Sequence, residues 1–234
     1  MSNYAIGLQP RCYALVPAAG VGTRSGADGP KQYVPLAGRA MMAHTLEALA
    51  KVSGLAATLV VLSPEDDQFE TAVPGFDGWV ARCGGASRAE SVANGLDELL
   101  ARGAQAHDWV LVHDAARCLL RPEWVEALIA ACTDDEVGGL LAMPLADTLK
   151  QSSHGRVMNT VDRSAKWAAQ TPQMFRLGLL KPALAGGGEG ITDEASAIEA
   201  LGHQPLLVES PMENFKVTWP ADFALAERLL RTRA

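Results

Sequence analysis

Apolar and polar positions along this chain follow two alternating patterns. Short, nearly continuous apolar runs predict buried strands, and longer runs with apolar residues three or four positions apart predict amphipathic helices. The predicted strands are Tyr13–Val16, Thr58–Leu62, Val80–Cys83, Trp109–His113, Gly139–Met143, Leu206–Val208 and Phe215–Val217. The predicted helices are Met41–Val52, Ala89–Arg102, Pro122–Cys132, Ala195–Gly202 and Asp222–Arg231. This order indicates an α/β fold of three layers, a mostly parallel sheet with helices on both faces.

Residues 144–166 interrupt the alternation. Two short β-like runs flank the sequence Ser-Ser-His-Gly, which predicts a projecting β-hairpin, here called the arm. A lone hairpin is barely stable in water, so we expect the arm to pack on a second subunit and the protein to be a homodimer. A mobile loop is the alternative. We expect residues 1–234 to form one domain that carries this arm.

Composition narrows the function classes. The chain has 234 residues, 48% of them hydrophobic, and a net charge of −7, which argues against a nucleic-acid binder with its broad basic face. No apolar run is long enough to cross a membrane, and the N-terminal sequence lacks the apolar core of a signal peptide, so we expect a cytoplasmic protein. The four cysteines show no CxxC pairing, as expected of reduced thiols rather than of a zinc site.

The most informative motif is the sequence LVPAAGVGTRSGADGPKQY, residues 15–33. Its small residues let backbone N–H groups approach an anion, and Arg24 and Lys31 add two cations, which predicts a polyphosphate site. The loop is neither a Walker A motif nor a dinucleotide fingerprint, since Gln32 follows the lysine and Ser25 replaces the last glycine. An ordinary strand–helix turn is the alternative.

Polar clusters also follow the later predicted strands: SPED, residues 63–66, GGASRAES, residues 84–91, and HDAAR, residues 113–117. Ligands of parallel sheets bind at the carboxyl ends of strands, so these clusters predict one shared site. The glycine pair of residues 84–91 leaves room for a flat ring, and Ser91 could donate to a base edge. Asp114 is suited to Mg²⁺, which prefers carboxylate and phosphate oxygens.

Each of these features also has a purely structural interpretation. Ser87 and Glu90 form a capping-box pattern, and Asp114, Thr192 and Asp193 each stand where a helix cap is expected. Lys216 lies in an apolar stretch, where its charge is costly unless an anion partners it or the side chain extends to the surface.

The sequence shows no Ser–His–Asp or Cys–His arrangement. A phosphate monoester is already an anionic nucleophile near neutral pH and needs no general base. Its attack on a phosphorus atom needs in-line positioning and surrounding cations. Cations without an evident base therefore favour transfer of a phosphate-containing group.

Nine motifs, in this order, resemble the 2-C-methyl-D-erythritol 4-phosphate cytidylyltransferase family of Rossmann-like nucleotidyltransferases. They are PAAGVGTR, PKQY, GGASRAESV, VHDAAR, DTLK, TVDR, QTPQMF, TDEASAIE and NFKVT. The resemblance implies transfer of CMP from CTP to the polyol phosphate, with Mg²⁺ and release of pyrophosphate. The chain departs from the family pattern at Cys118, where the family usually has proline, and at Ala86, often an acidic residue. We expect it to lack the cyclodiphosphate synthase domain that some relatives carry.

The resemblance also implies residue roles. Catalytic roles fall to Arg24, Lys31, Lys216 and Arg163. CTP contacts fall to Ala18, Ala19, Gly20, Gly22, Gly85, Ser91, Asp114, Ala115 and Arg117, and the metal also falls to Asp114. Contacts to the polyol phosphate fall to Thr148, Arg163, Thr171 and Thr192. Two of these, Thr148 and Arg163, lie in the arm and would reach the neighbouring subunit's site.

Three alternatives remain at this stage. A cytidylyltransferase for ribitol 5-phosphate or another polyol phosphate would use the same loops, although TVDR followed by Trp167 favours the methylerythritol substrate. A Rossmann dehydrogenase would need an acidic residue after the second strand, where Ser63 and Pro64 stand. A non-catalytic nucleotide sensor would bind CTP without releasing pyrophosphate.

Overall fold

The computed structural model describes residues 9–20, 29–186 and 190–233. Its strands are β1 (Cys12–Pro17), β2 (Pro35–Leu36), β3 (Arg39–Ala40), β4 (Leu55–Val61), β5 (Trp79–Ala81), β6 (Trp109–Val112), β7 (Gly138–Pro144), β8 (Leu149–Ser153), β9 (Arg156–Val161), β10 (Trp167–Arg176) and β11 (Leu206–Glu209). Its α-helices are α1 (Met41–Ala50), α2 (Phe69–Ala72), α3 (Arg88–Ala101), α4 (Pro122–Cys132), α5 (Leu177–Ala185), α6 (Glu194–Ala200) and α7 (Pro220–Arg231).

Seven strands form the central sheet in the order β11-β7-β10-β6-β1-β4-β5. β10 runs antiparallel to both of its neighbours, and every other neighbouring pair is parallel. The prediction of a mostly parallel sheet is therefore confirmed. The carboxyl ends of β1, β5 and β6 consequently lie along one edge of the sheet, where their following loops can form a shared site.

Side chains of the central strand β1 alternate between two hydrophobic cores, because successive residues of a strand point to opposite faces. Cys12, Ala14 and Val16 pack in the core that includes α1 and α4. Tyr13 and Leu15 pack in the core that includes α3, α5 and α6. The three predicted layers follow from this alternation. A third, smaller core joins α7 to the segment that contains Val217.

Most predicted elements are confirmed to within a few residues, and α4 matches its predicted bounds. Phe215–Val217, which the structure describes in full, is an irregular segment, so the strand predicted there is wrong. A 3-10 helix at Met212–Asn214 precedes it and α7 begins soon after it. The segment is held instead by single contacts to neighbouring loops, including the bond from Val217 N–H to the carbonyl oxygen of Ala116.

Five of the described strands and α-helices were not predicted: the short β2, β3 and α2, and the longer β10 and α5. β10 carries buried polar residues at Gln170, Thr171 and Gln173, so it lacks the apolar run that marks the other strands. Its register shifts between Ala169 and Gln173, where it pairs with β7.

The predicted hairpin of the arm is confirmed. β8 and β9 pair antiparallel as a sheet of their own, joined by a turn in which His154 and Gly155 both have positive φ. Val157 and Met158 on β9 are 63% and 65% exposed. The second subunit expected to cover this surface stays a prediction. Within the described residues, no helix is long and apolar enough to span a bilayer.

Candidate active site

A cavity of about 430 Å³ opens at the carboxyl edge of the sheet. Its walls come from the loops after β1, β5 and β6, together with Lys31, Gln32, Met41 and Lys216. Pockets of this size suit small-molecule ligands. The SPED sequence after β4 does not contribute to this lining: the Asp66 carboxylate instead accepts a hydrogen bond from the Tyr33 hydroxyl, at 2.7 Å.

The glycine-rich loop begins inside this cavity. Ala18, Ala19 and Gly20 line it as predicted, and the side chain of Gln32 donates to the carbonyl oxygen of Ala18, at 2.8 Å. Gly84 is required beside it, because a Cβ there would lie 2.2 Å from the Cβ of Ala19. Gly22 and Arg24 lie outside the described residues.

The start of α3 forms the opposite wall of the cavity. Ser87 caps the helix as predicted, accepting from the backbone N–H of Glu90, whose carboxylate accepts from Ala86 N–H. Ser91 accepts from the backbone N–H of Gly85 at 3.1 Å and donates its hydroxyl proton to the carbonyl oxygen of Ser87. In this state that proton is engaged, so Ser91 offers a ligand a lone pair and not the donor that the sequence suggested.

Asp114 lies at the base of the cavity between two cations. One carboxylate oxygen accepts from the Lys216 ammonium at 2.7 Å, and the other accepts from Arg88 Nε at 2.8 Å. Burial alone would raise the pKa of Asp114, but Arg88 and Lys216 outweigh it and hold the pKa well below its usual range. Asp114 is therefore ionised near neutral pH.

Arg88 also forms a second ion pair, which extends the network away from the cavity. Its two terminal nitrogens donate to the two carboxylate oxygens of Glu194, at 2.6 and 3.1 Å. Glu194 is fully buried at the start of α6. We call the four residues of this network, Arg88, Asp114, Glu194 and Lys216, the charged wall.

Lys31 and Lys216 come from distant parts of the sequence to the same side of the cavity. The ammonium of Lys31 donates to the carbonyl oxygen of Val217, at 2.8 Å, next to Lys216 in the chain. The irregular segment around Val217 thus brings the two predicted catalytic lysines together.

His113 and Thr171 fix the backbone beneath Asp114. The Thr171 hydroxyl accepts from the backbone N–H of Asp114 and lies 3.0 Å from His113 Nδ1. His113 Nε2 faces the carbonyl oxygen of Arg117, which can only accept, so Nε2 carries the proton and Nδ1 accepts from Thr171. Burial lowers the pKa of His113 to about 4, which keeps the ring neutral.

Arg117 is not among the described residues that line the cavity. Its guanidinium donates to the carbonyl oxygen of Asn214 at 2.7 Å and to that of Ala169 at 3.3 Å. In this state it ties the segment before Lys216 to β10, a different role from the predicted CTP contact. Ala115 does line the cavity.

The residues predicted for the polyol phosphate do not gather in this cavity within the described chain. Thr148 and Arg163 are exposed in the arm, and Thr171 is buried with its hydroxyl engaged as above. Thr192 lines a smaller neighbouring cavity of about 220 Å³, next to Arg88 and Glu194. The capping role falls to Asp193, which forms a capping box with Ser196 at the start of α6.

Comparison with known proteins agrees with the sequence resemblance. Residues 12–232 match the profile of the 2-C-methyl-D-erythritol 4-phosphate cytidylyltransferase family, IspD. This chain belongs to that family.

Two relatives show the extent of the similarity. A bifunctional IspD/IspF enzyme from Albidiferax ferrireducens is 58% identical over 226 residues, and the alignment covers 96% of this chain and 54% of the relative. This chain therefore spans about half the length of that relative. The 2-C-methyl-D-erythritol 4-phosphate cytidylyltransferase of Burkholderia cenocepacia is 52% identical over 229 residues, covering 95% of this chain and 97% of the relative.

Solved IspD structures share the fold. A crystal structure of 4-diphosphocytidyl-2C-methyl-D-erythritol synthase superposes with a TM-score of 0.86 at 43% identity, covering 96% of this chain and 100% of that one. The 2-C-methyl-D-erythritol 4-phosphate cytidylyltransferase of Thermus thermophilus superposes with a TM-score of 0.76 at 30% identity, covering 93% and 98%. The predicted nucleotidyltransferase fold is thereby confirmed.

Sequence reasoning missed Arg88 and Glu194. Both stand in quoted motifs, GGASRAES and TDEASAIE, but neither was given a role. One signal was present: Arg88 is the first residue of α3, and a cation is electrostatically disfavoured at a helix N-terminus. An arginine retained there indicates a specific anionic partner.

The cavity fits the Mg²⁺ that the family implies. Among the described residues, no three His, Cys, Asp or Glu side chains gather as a ready metal site. Among the described residues that line the cavity, Asp114 is the one with a carboxylate. Each of its two oxygens keeps a lone pair in addition to the one that accepts its present hydrogen bond. One carboxylate supplemented by substrate phosphates is a typical Mg²⁺ environment.

Proposed function

We propose that this chain transfers CMP from CTP to 2-C-methyl-D-erythritol 4-phosphate, forming 4-diphosphocytidyl-2-C-methyl-D-erythritol and pyrophosphate. The observation that carries the proposal is the convergence of Lys31 and Lys216 on one side of a cavity lined by Ala18–Gly20. Membership of the IspD family supports the same reaction.

The chemistry is a displacement at the α-phosphorus of CTP. A phosphate oxygen of the polyol phosphate forms the new bond to that phosphorus, the bond to the bridging oxygen breaks, and pyrophosphate leaves with that electron pair. The nucleophile is already anionic, so the protein supplies position and positive charge rather than a base. We assign this charge to Lys31 and Arg24 on the triphosphate side and to Lys216 on the incoming phosphate.

The cavity residues divide between the parts of CTP. We assign the triphosphate to the backbone of Ala18, Ala19, Gly20 and Gly22, the cytosine to Gly85 and Ser91, and the ribose side to Asp114 and Ala115. Asp114 would also hold Mg²⁺, which neutralises triphosphate charge when bound. Arg117 would act through the Lys216 segment that it holds rather than by touching CTP.

The polyol phosphate site would be completed across a homodimer. Thr148 and Arg163 of the arm are exposed in one chain, so we propose that they reach the neighbouring chain, where Thr171 and Thr192 would complete the polyol phosphate pocket. On this proposal residues 1–234 act as one domain, with residues 144–166 as the arm. The cysteines of the described residues are unpaired, in keeping with the cytoplasmic location that we propose.

Pyrophosphate release tests the function directly. Purified protein with Mg²⁺ is given each of the four nucleoside triphosphates with either 2-C-methyl-D-erythritol 4-phosphate or ribitol 5-phosphate. We expect release to be fastest with CTP and the methylerythritol substrate. Faster turnover of ribitol 5-phosphate would move the assignment to a ribitol phosphate enzyme. CTP binding without any pyrophosphate would indicate a nucleotide sensor, and binding of NAD but not of CTP a dehydrogenase.

A further inference from the structure

The charged wall contains two groups that the proposed reaction does not use, Arg88 and Glu194. Along the wall the charges alternate in sign from Glu194 through Arg88 and Asp114 to Lys216. Arg88 is the central member, and all three nitrogens of its guanidinium donate to carboxylates. Burial alone would lower the pKa of Arg88, but the charges of Glu194 and Asp114 outweigh burial and raise it.

Stability alone does not account for a carboxylate as deeply buried as that of Glu194. Removing two charges from water is costly, and well-packed apolar replacements of buried ion pairs are often neutral or stabilising. The ion pair instead fixes the orientation of the Arg88 guanidinium, since its planar fork fits a carboxylate in one geometry. In this orientation the Nε–H of Arg88 points at Asp114.

Both carboxylates of the charged wall, those of Asp114 and Glu194, lie on backbone that is held by the same strand, β10. Thr171 of β10 accepts from the backbone N–H of Asp114. Gln173, two residues further along, accepts from the backbone N–H of Ala195 and donates to Asp193, which fixes the start of α6 beside Glu194. Arg88 therefore bridges two points whose separation β10 already sets.

We propose that Arg88 is a positioning residue: held from behind by Glu194, it orients the Asp114 carboxylate and, through it, the resting position of the Lys216 ammonium. This inference rests on the proposed function, because it concerns the residues assigned there to metal and substrate. Glu194 is the second positioning residue, acting only through Arg88. Neither touches the reacting atoms.

A double substitution separates positioning from stability. Arg88→Met with Glu194→Leu removes both charges and keeps apolar bulk, so we expect the Tm to stay close to that of the wild type. We expect kcat to fall about tenfold to a hundredfold, because the Asp114 carboxylate loses its orientation. If both kcat and the Tm of the double variant equal those of the wild type, the ion pair is merely structural and the proposal is overturned.

A conservative substitution tests the fork itself. Arg88→Lys keeps the charge but lacks the planar fork that bonds Glu194 through two nitrogens and Asp114 through the third, so we expect most of the loss in kcat with little change in KM for CTP. The matched control is Arg102→Lys on the same helix, where Arg102 pairs with Glu98 in a partly exposed i,i+4 pair. We expect that control to stay within about twofold of the wild type. Equal effects of the two substitutions would contradict the role of Arg88.

A measurement without substrate separates this inference from the proposed function. Crystal structures of the nucleotide-free wild type, Arg88→Lys and Arg102→Lys show the position of the Asp114 carboxylate and of the Lys216 ammonium. We expect the Asp114 carboxylate to change its orientation and its contact with Lys216 only in Arg88→Lys. An unchanged Asp114–Lys216 geometry there would overturn the positioning role even if the enzyme is active. If that geometry changes while the wild type releases no pyrophosphate, only the proposed function fails.

Discussion

The charged wall and the arm both belong to the proposed site, but they are built in opposite ways. In the wall, Glu194 is fully buried, Asp114 is 8% exposed, and every charge has an opposite charge within 3.1 Å. In the arm, the predicted substrate residues Thr148 and Arg163 are exposed, and β8 and β9 pair only with each other.

The difference teaches which part of the site one chain can organise alone. A buried charge must have its partners in place, so folding itself fixes the geometry of the wall. An exposed hairpin gains no such constraint and requires a second surface to hold its side chains. Substitutions in the wall should therefore change the chemistry or the folding of each chain, and those in the arm should change what a pair of chains does together.

The largest expected effect lies beside the wall, at Lys31. Replacing it with alanine removes a cation from the transition state, and we expect kcat to fall about 10²–10³-fold. Steady-state release of pyrophosphate measures the change. Lys51→Ala, which removes an exposed lysine paired with Glu47, is the control and should leave kcat within about twofold. Unchanged turnover in folded Lys31→Ala protein would argue against the phosphate site.

Below Asp114, His113 should make stability depend on pH. Its pKa is about 4 when folded and near 6.5 in an unfolded chain, so the unfolded state takes up the proton first. The neutral His113 therefore contributes to the free energy of unfolding above pH 6.5. This contribution, about 3 kcal/mol in total, is lost as the pH falls toward 4. Denaturant unfolding at pH 7 and pH 5 measures it.

His113→Gln cannot titrate, so its loss of unfolding free energy between these pH values should be about 2 kcal/mol smaller than that of the wild type. The matched control is His154→Gln, at the exposed turn of the arm, which should follow the wild type. Parallel pH dependence in all three proteins would refute the assignment of a neutral buried His113.

In the arm, Arg163→Ala should act on one substrate only. We expect kcat/KM for the polyol phosphate to fall about tenfold to a hundredfold, as for loss of a charged phosphate contact, while CTP binds as before. Calorimetric titration with CTP and initial rates give the two values. Arg156→Ala changes another exposed arginine of the arm and should have little effect. A collapse of CTP affinity would show that Arg163 belongs to the nucleotide site.

Mixing subunits gives the smallest signal, but it tests most directly whether the arm of one chain completes the site of the other. When the impaired Lys31→Ala and Arg163→Ala chains exchange freely, half the dimers contain one of each. Each such dimer has one intact shared site, so about a quarter of the wild-type activity should return. No recovery despite proven exchange would mean that each chain builds its site alone.

The sequence alone determined the layered fold and most of its elements. Apolar periodicity marked the strands with buried side chains on both faces, and small residues with basic neighbours marked the loop at the cavity. These signals are local, because the spacing of a few residues decides which face is buried. The order of nine motifs added the family, which no single motif specified.

Only the tertiary structure decided the rest. β10 was missed because Gln170, Thr171 and Gln173 are polar, and their burial is tolerable only through partners distant in the chain, such as Asn214 and Asp193. For the same reason Arg88 and Glu194, 106 residues apart, appeared as unrelated charges until folding paired them. A charge buried with its partner and a charge left in water look alike in sequence, because what distinguishes them is the distance between side chains.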